Sequence, residues 1–339
     1  MTEISTKRIV LASRPIGKPV PENFRIETAA VGQPADGQVL LKLRYLSLDP
    51  YMRGRMSDAK SYAAPLAVGD PIEGGTVGEV IASRHQGFAV GDMVLSYSGW
   101  QTYALAEGAA LRKLDPDAAP VTTALGVLGM PGFAAYSGLL TIGKPKAGET
   151  VVVAAASGPV GSAVGQIAHI KNARAVGIAG GADKCRALTD DFGFDVALDH
   201  HRADFAEALK DACPSGIDVY FENVGGKVFD AVLPLLNEFA RIPVCGLIAQ
   251  YNSTGLFEGP DRLPRLMGAI LSRSLTIRGF IQREFSDQRP VFYEQMAQWV
   301  KNGQVRYRED IVDGIENAPQ AFIGLLEGKN FGKLIIRID

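Results

Sequence analysis

The chain has 339 residues, 47% of them hydrophobic and 21% charged, with a formal net charge of −2. That length suits about two domains with buried cores, and the composition is that of an ordinary globular protein. The near-neutral balance argues against a nucleic-acid partner, which would want a basic face, and no run is long and apolar enough to span a bilayer. The first residues, MTEISTKRIV, lack a signal-peptide core. Cys185, Cys213 and Cys245 are odd in number and far apart, which suits a reducing cytoplasm rather than a disulfide framework.

The first 120 residues read as β-rich. Residues 7–12 and 24–28 are short strand candidates. Val39, Leu41, Leu43 and Tyr45 alternate with Lys42 and Arg44, the period of a half-buried strand. Residues 76–81, 93–97 and 101–106 continue the pattern between glycine-rich turns such as Glu73-Gly74-Gly75 and Gly91-Asp92. Strands this short and evenly spaced predict a barrel-like unit. Residues 122–140 read as helical, interrupted by Gly129-Met130-Pro131-Gly132.

From Val151 strands and helices alternate. Strand candidates at 151–156, 175–179, 196–198, 217–221 and 241–245 are separated by a helix through Ile167 and Ile170 and by helices at 183–192, 204–212 and 227–236. This repetition predicts a doubly wound parallel sheet, so the fold class is α/β. Helices at 290–302 and 319–326 and a strand at 333–338 follow. The last strand is expected to rejoin the β-rich unit, dividing the chain into residues 1–125 with 303–339, and residues 126–302.

The stretch VVVAAASGPVGSAVG, residues 151–165, is the most informative. It reads as a buried strand, a glycine turn and a helix start. Ala156, Gly158 and Gly161 fill the small-residue slots of G-x-G-x-x-G, which lets backbone approach a pyrophosphate at a helix N-terminus. The plain alternative is a structural strand–helix turn. The second strand ends in Gly180-Gly181, where an NAD site would carry a carboxylate. Asp183 reads as the next N-cap, and Lys184, with Arg186 nearby, offers cations for a 2′-phosphate. That turn favours NADP(H); the plain alternative is that both cations are solvated side chains of the helix's first turn.

No metal site is expected. There is no C-x-x-C pair, and the first 150 residues hold one histidine, His85, and no cysteine. His169 reads as a packed helix residue, and the adjacent His200 and His201 would point apart on a strand or a helix. No nucleophile elbow, H-E-x-x-H or paired carboxylate motif occurs.

The segments LDPYMRGRM, GGTVGEVIAS, GFAVGD, GMPGFAAYSGL, VYFENVGG, RIPVCGLIAQYN, IRGFI and GKNFGKLIIRI, together with the glycine turn, resemble the zinc-independent medium-chain dehydrogenase/reductases. The resemblance is to their NADPH-dependent double-bond reductase branch, which includes leukotriene/prostaglandin, plant alkenal and bacterial curcumin reductases. It runs in order over nearly the whole chain. It implies a GroES-like β-rich domain plus a Rossmann doubly wound parallel sheet, a cleft between them, a homodimer, NADP(H), and reduction of the C=C bond of a small enone or enal.

Carried over by position, the resemblance gives Ala156, Ser157, Gly158, Pro159, Val160 and Gly161 to the pyrophosphate and Lys184 to the 2′-phosphate. Asn223, Cys245, Gly246 and Tyr251 would line the cofactor, Phe280 would lie near the nicotinamide, and Asn330 would reach back from the tail. Two positions depart from the family. His200 follows Asp199 where a tyrosine usually helps bind the 2′-phosphate, so that contact is expected to depend on pH. Ser272 stands in the slot, eight residues before Phe280, of the active-site tyrosine of several animal members.

Reducing a conjugated alkene places hydride on the β-carbon and negative charge on the carbonyl oxygen, which a hydrogen-bond donor stabilises. Tyr51, Tyr62 and Tyr251 are the candidate donors or cleft residues; each is equally an ordinary packed aromatic. Met52, Met56 and Met130 offer an apolar wall or core filling, and Arg53 and Arg55 an anion contact or solvated surface. Three functions stay open: an alkene reductase, a quinone reductase on the same fold whose pocket segments would be residues 51–55 and 251–257, and a non-catalytic NADPH-binding protein.

Overall fold

The computed structural model describes residues 4–255 and 261–338. Phe257, at the end of one expected pocket segment, lies outside the described residues. The chain divides into two units: Met1–Gly126 with Tyr251–Thr254 and Glu309–Asp339, and Val127–Gln250 with Gly255–Arg308. No helix among the described residues is long and apolar enough to cross a membrane.

In the first unit β1 (Ile4–Leu11) and β2 (Phe24–Val31) form an antiparallel ribbon. The organising strand is β3 (Gln38–Ser47). A single-turn helix α1 (Met52–Arg55) leads from it to β4 (Thr76–Ser83), followed by β5 (Met93–Ser96), β6 (Tyr103–Glu107) and β7 (Arg112–Leu114). Strand β3 pairs with both β4 and β6. The period-2 reading of this strand fails at Leu40, which is as buried as Val39 and Leu41. The cause is a register shift between Leu40 and Leu41, which lets consecutive residues face inward.

The second unit opens on α2 (Met130–Ser137). Residues 129–132, expected to interrupt a helix, instead begin one. Gly129 is the N-cap and proline sits in the first turn, where its missing N–H costs nothing. A Cβ on Gly132 would lie 1.9 Å from the Val127 carbonyl oxygen, so only glycine fits there. Then come β8 (Thr150–Ala154), α3 (Pro159–Ile170), β9 (Arg174–Ala179), α4 (Ala182–Asp190), β10 (Val196–Asp199), α5 (Phe205–Ala212), β11 (Ile217–Phe221), α6 (Gly226–Val232) and β12 (Leu236–Val244). Two elements not expected from the sequence follow, α7 (Leu263–Arg273) and β13 (Thr276–Gly279), and then α8 (Arg289–Lys301).

The six strands lie in the order β10-β9-β8-β11-β12-β13, and every neighbouring pair is parallel. This is the doubly wound sheet expected. Its two halves wind outward from β8 and β11, so the switch point lies between them and their carboxyl ends are the ligand-binding edge. Strand β8 is buried at all five positions, as a central parallel strand covered on both faces should be.

The tail adds β14 (Glu309–Asp313), which was not expected, α9 (Ala318–Leu326) and β15 (Lys333–Arg337). Strand β15 pairs antiparallel with β3 and parallel with β14. From α9, Phe322 packs edge-on against the stacked rings of Phe24 and Trp100, so the tail completes the first unit's core.

One side chain ties several loops of the second unit together. Arg241 on β12 donates to the carbonyls of Gly143 (2.8 Å) and Lys144 (3.0 Å) and to Glu149 just before β8 (3.1 Å). Burial alone would raise the Glu149 carboxyl, but Arg241 and the Lys146 N–H hold it below its ordinary 4.5. Its folded-state pKa is depressed, so the pair's contribution is present above about pH 4.5 and is lost as pH falls through the lower folded value. Arg241→Met should therefore cost about 2 kcal/mol near neutral pH, since hydrogen bonds to charged groups are worth ~1.5–3 kcal/mol. Melting curves taken from pH 7 to pH 3 should show the gap between parent and variant closing at the acid end.

Candidate functional site

The glycine turn joins β8 to α3 as expected. Ala155 takes the left-handed conformation (φ +51°), and the fully buried Ala156 donates its N–H to the Ile178 carbonyl of β9 (2.9 Å). Gly158 is the N-cap of α3 and Pro159 lies in its first turn. The Ser162 N–H returns to the Gly158 carbonyl (2.9 Å). Ahead of it, the first-turn N–H groups around Val160 and Gly161 are those that a helix start offers to an anion.

The two glycines do different work. A Cβ on Gly161 would lie 2.4 Å from the Ala155 carbonyl oxygen, whereas one on Gly158 would make only a 3.4 Å contact with that same oxygen. Gly161 is required by the close approach of helix and strand. The space in front of Gly158 is open within this unit. Ser157 is buried beside them.

The remaining expected cofactor residues of this unit gather at the same edge. Asn223, beyond β11, donates its amide to the Ala154 carbonyl at the end of β8 (2.8 Å), which places it across the switch point from the glycine turn. Glu222 beside it is buried and accepts from the Tyr220 hydroxyl (3.0 Å) and from the Val224 (2.6 Å) and Gly225 (2.8 Å) N–H groups. Cys245 and Gly246 donate backbone N–H groups to the Glu222 carbonyl (2.9 and 3.1 Å). Burial pushes the Cys245 thiol up to about 12, so it is inert as a nucleophile. Phe280 follows β13 but is core: it is buried, packs edge-on to Phe221, and its ring lies 2.4 Å from where a Gly138 Cβ would stand.

The turn after β9 corrects one expectation. Gly181, not Asp183, is the N-cap of α4, and Asp183 lies in the first turn 3.4 Å from Arg186. Lys184 is in that same turn. A second correction concerns His200 and His201. They occupy a turn after β10 rather than a strand or helix, and their rings lie together with centroids 4.1 Å apart. Asp199 accepts the backbone N–H groups of Gly181 and His201. A carboxylate is thus present at this turn, delivered by β10 and already engaged.

The first unit holds the tyrosines. Tyr51 leads into α1 and Tyr62 is half exposed in the loop beyond. Burial, with Asp49 next in effect, holds the Tyr51 hydroxyl far above the ordinary tyrosine value, and Tyr97, Glu73 and Tyr62 act on it too. Tyr97, which the motifs did not single out, is therefore a neighbour of this group, and it is 63% exposed. Met52 and Met56 are core rather than a pocket wall. Arg53 and Arg55 are both committed. Arg55 forms a two-pronged pair with Glu73 (2.8 Å each). Arg53 is buried and donates to the carbonyls of Pro15 (3.3 Å) and Gly17 (2.7 Å) and to the Asn252 side chain (3.2 Å).

That last bond pins residues 251–254, Tyr251 among them, to the first unit although their neighbours belong to the second. Asn330 folds back on its own turn, donating to the Gly332 carbonyl (2.9 Å). Lys333 next to it is buried and donates to Leu48 (2.7 Å) and Asp49 (2.8 Å). Ser272 is exposed on α7.

Residues 7–114 match a family described as the N-terminal domain of oxidoreductase, and residues 159–302 one described as zinc-binding dehydrogenase. The chain is 60% identical to the NADPH-dependent curcumin reductase of Escherichia coli (strain K12) over 98% of this chain and 96% of that protein. It is 40% identical to prostaglandin reductase 1 of Bos taurus over 98% of this chain and 99% of that protein. The chain belongs to the double-bond reductase branch of the medium-chain dehydrogenase/reductases. Its structure matches that of CurA from Vibrio vulnificus in complex with NADPH, with a TM-score of 0.95 and 55% identity over 98% of this chain and 99% of that one. Although the family matched at residues 159–302 is described as zinc-binding, no group of three or more metal-ligating side chains that could hold an ion occurs among the described residues.

The unequal glycines give a test that needs no ligand. Gly161→Ala should destabilise the fold by about 1–3 kcal/mol, the usual cost of overpacking. Gly158→Ala should melt within about 0.5 kcal/mol of the parent, as open surface positions do. Thermal melts of the two variants check the difference.

Proposed function

We propose that this chain reduces the C=C bond of α,β-unsaturated ketones and aldehydes with NADPH, adding hydride at the β-carbon. The observation that carries the reading is the full-length kinship with reductases of this kind, joined to a strand-end turn that bears no carboxylate of its own. A ribose 2′-OH lacks its usual acidic partner at Gly180-Gly181, and Lys184 supplies positive charge beside it. The open space at Gly158 and the first turn of α3 fit a pyrophosphate. When bound, NADPH supplies the hydride.

The chain's own part is to bind, orient and stabilise. As hydride reaches the β-carbon, charge grows on the carbonyl oxygen, and a preorganised hydroxyl aimed at it lowers the barrier. Tyr51 suits this role because it stays protonated across the working pH range, and Tyr62 and Tyr251 are the other candidate donors. Arg53 holds the segment bearing Tyr251, and Lys333 holds the segment bearing Tyr51. Arg53 is taken up by the Pro15 and Gly17 carbonyls and Asn252, and Arg55 is paired with Glu73 through Nε and Nη2. The free thiols of Cys185, Cys213 and Cys245 support a reducing, cytoplasmic setting.

NADPH oxidation followed at 340 nm with an enone, a 2-alkenal and a quinone, and NADP reduction with an allylic alcohol, tests the reading. The enone and alkenal should turn over. Turnover of the quinone alone would assign the chain to quinone reduction, and tight NADPH binding without turnover would make it a binding protein.

A second copy of this chain is the partner that the sheet edge supports. Strand β13 is the last of its sheet and all four of its residues are exposed. Beside it α7 presents Leu263, Met267 and Leu271, exposed by 59, 56 and 84%. An unpaired edge next to an apolar helix face is what a neighbouring copy can cover. Light scattering should give a dimer for the parent and a monomer for Met267→Asp with Leu271→Asp.

A further inference from the structure

We propose that His200 and His201 form a paired-imidazole clamp for the adenosine 2′-phosphate, with His201 as a phosphate ligand in its own right. This rests on the NADPH reading above and adds to it a residue that motif and spacing had set aside. The geometry is built from two turns. At the end of β9, Gly180 has no side chain, and a Cβ there would lie 2.9 Å from His201 Cε1 and 3.2 Å from His200 Nε2. Both rings therefore lie against the strand end where the ribose of a dinucleotide is read in this fold. Asp199 fixes the turn from behind. Its Oδ1 accepts the His201 N–H (3.0 Å) and faces His201 Nδ1 at 3.2 Å. With Nδ1–H turned to the carboxylate, Nε2 faces outward on a side chain 66% exposed, and it donates to an anion in the imidazolium form.

The charges around the clamp are few. From the turn after β9 come Asp183, Lys184 and Arg186, with Arg186 drawn to Asp183 (3.4 Å). From the turn after β10 come Asp199 and Arg202, and Asp204 holds the guanidinium of Arg202 with two bonds (2.8 and 2.6 Å). Lys184 is close enough for its charge to act on His200, which is driven toward the neutral form first by desolvation and next by His201. Lys184 is the fixed cation beside the clamp, and a phosphate dianion set against the two rings favours their protonated form. Histidine is the ordinary side chain that changes charge between pH 5 and 8. Discrimination for the 2′-phosphate should then be strongest when the rings can protonate while the phosphate, whose second pKa is about 6, is still a dianion.

The experiment is a binding titration of the whole protein with 2′,5′-ADP and with 5′-ADP at pH 6.5 and 8.5. It requires no enone, so failure of the alkene-reductase reading leaves it intact. For the parent, 2′,5′-ADP should weaken about tenfold between the two pH values, the effect of about one charge at a surface site, while 5′-ADP stays nearly flat. His201→Gln should flatten the 2′,5′-ADP curve, and His201→Lys should restore tight binding at both pH values. Lys184→Ala should weaken 2′,5′-ADP at both pH values but keep the slope. A slope unchanged in His201→Gln, or one lost only in His200→Gln, overturns the proposal. So does a parent that binds the two nucleotides alike, which would also remove the NADPH preference itself.

Discussion

The close approach of α3 to β8 is the constraint on which the second unit turns. It exists because residue 161 carries no side chain: the Ala155 carbonyl oxygen occupies the place a Cβ would take. Ala155 adopts a left-handed backbone to make the turn, a conformation that costs a non-glycine residue about 1 kcal/mol or more. Such strain persists only where surrounding structure fixes it, and here the Ala156 N–H is tied to β9 and the Ser162 N–H to Gly158. The result is a helix start held rigidly at the carboxyl edge of the sheet, next to Asn223 and the 245–246 segment. The proposed pyrophosphate contact depends on that placement.

The first unit depends on a comparable tie of different chemistry. Lys333 is buried and its ammonium is shared between the Leu48 carbonyl and Asp49, while Ser47 hydrogen-bonds the other Asp49 oxygen. Burial lowers the proton affinity of Lys333, and Asp49 opposes that effect. A buried pair of this kind adds little net stability over an apolar substitute. What it does is join the start of β15 to the loop carrying Tyr51, two stretches some 285 residues apart in the chain. Arg53 does the same for the 13–17 stretch and residues 251–254. Tyr51 and Tyr251 thus stand on segments anchored by buried cations.

Much of this was legible in the sequence, and the limits have physical causes. The β-rich first part, the alternation after Val151 and the glycine turn show clear periods or small residues where only small residues fit. The parallel sheet with its expected strands followed from them. Strands β13 and β14 were missed because both are short and neither has a fully buried residue, so no apolar period marks them. Helix α7 was missed because its apolar residues face outward as well as inward. At residues 129–132 glycine and proline read as breakers, but proline belongs in a first turn and Gly132 is required by a neighbouring carbonyl. Adjacent histidines point apart only on a strand or a helix, and in the turn after β10 the two side chains meet. Arg53 and Arg55 looked like free cations since nothing in the sequence places Asn252 or Glu73 beside them.

The chemistry proposed sorts the site by what each group must do as charge moves. Phosphate contacts act on a charge that is present throughout, so they favour permanent or readily gained cations, as on the Lys184 and His200–His201 turns. The acceptor carbonyl gains its charge only during hydride transfer, and a cation placed there would bind anions in the ground state too. A neutral hydroxyl avoids that. Buried next to Asp49, the Tyr51 hydroxyl is a weak acid, so on the proposed reading it lends a hydrogen bond to the developing oxyanion without surrendering its proton. Protonation of the α-carbon is then a separate, later event, open to water or another donor. This separation accounts for why no strong acid, metal or nucleophile motif is needed in the sequence for the proposed reaction.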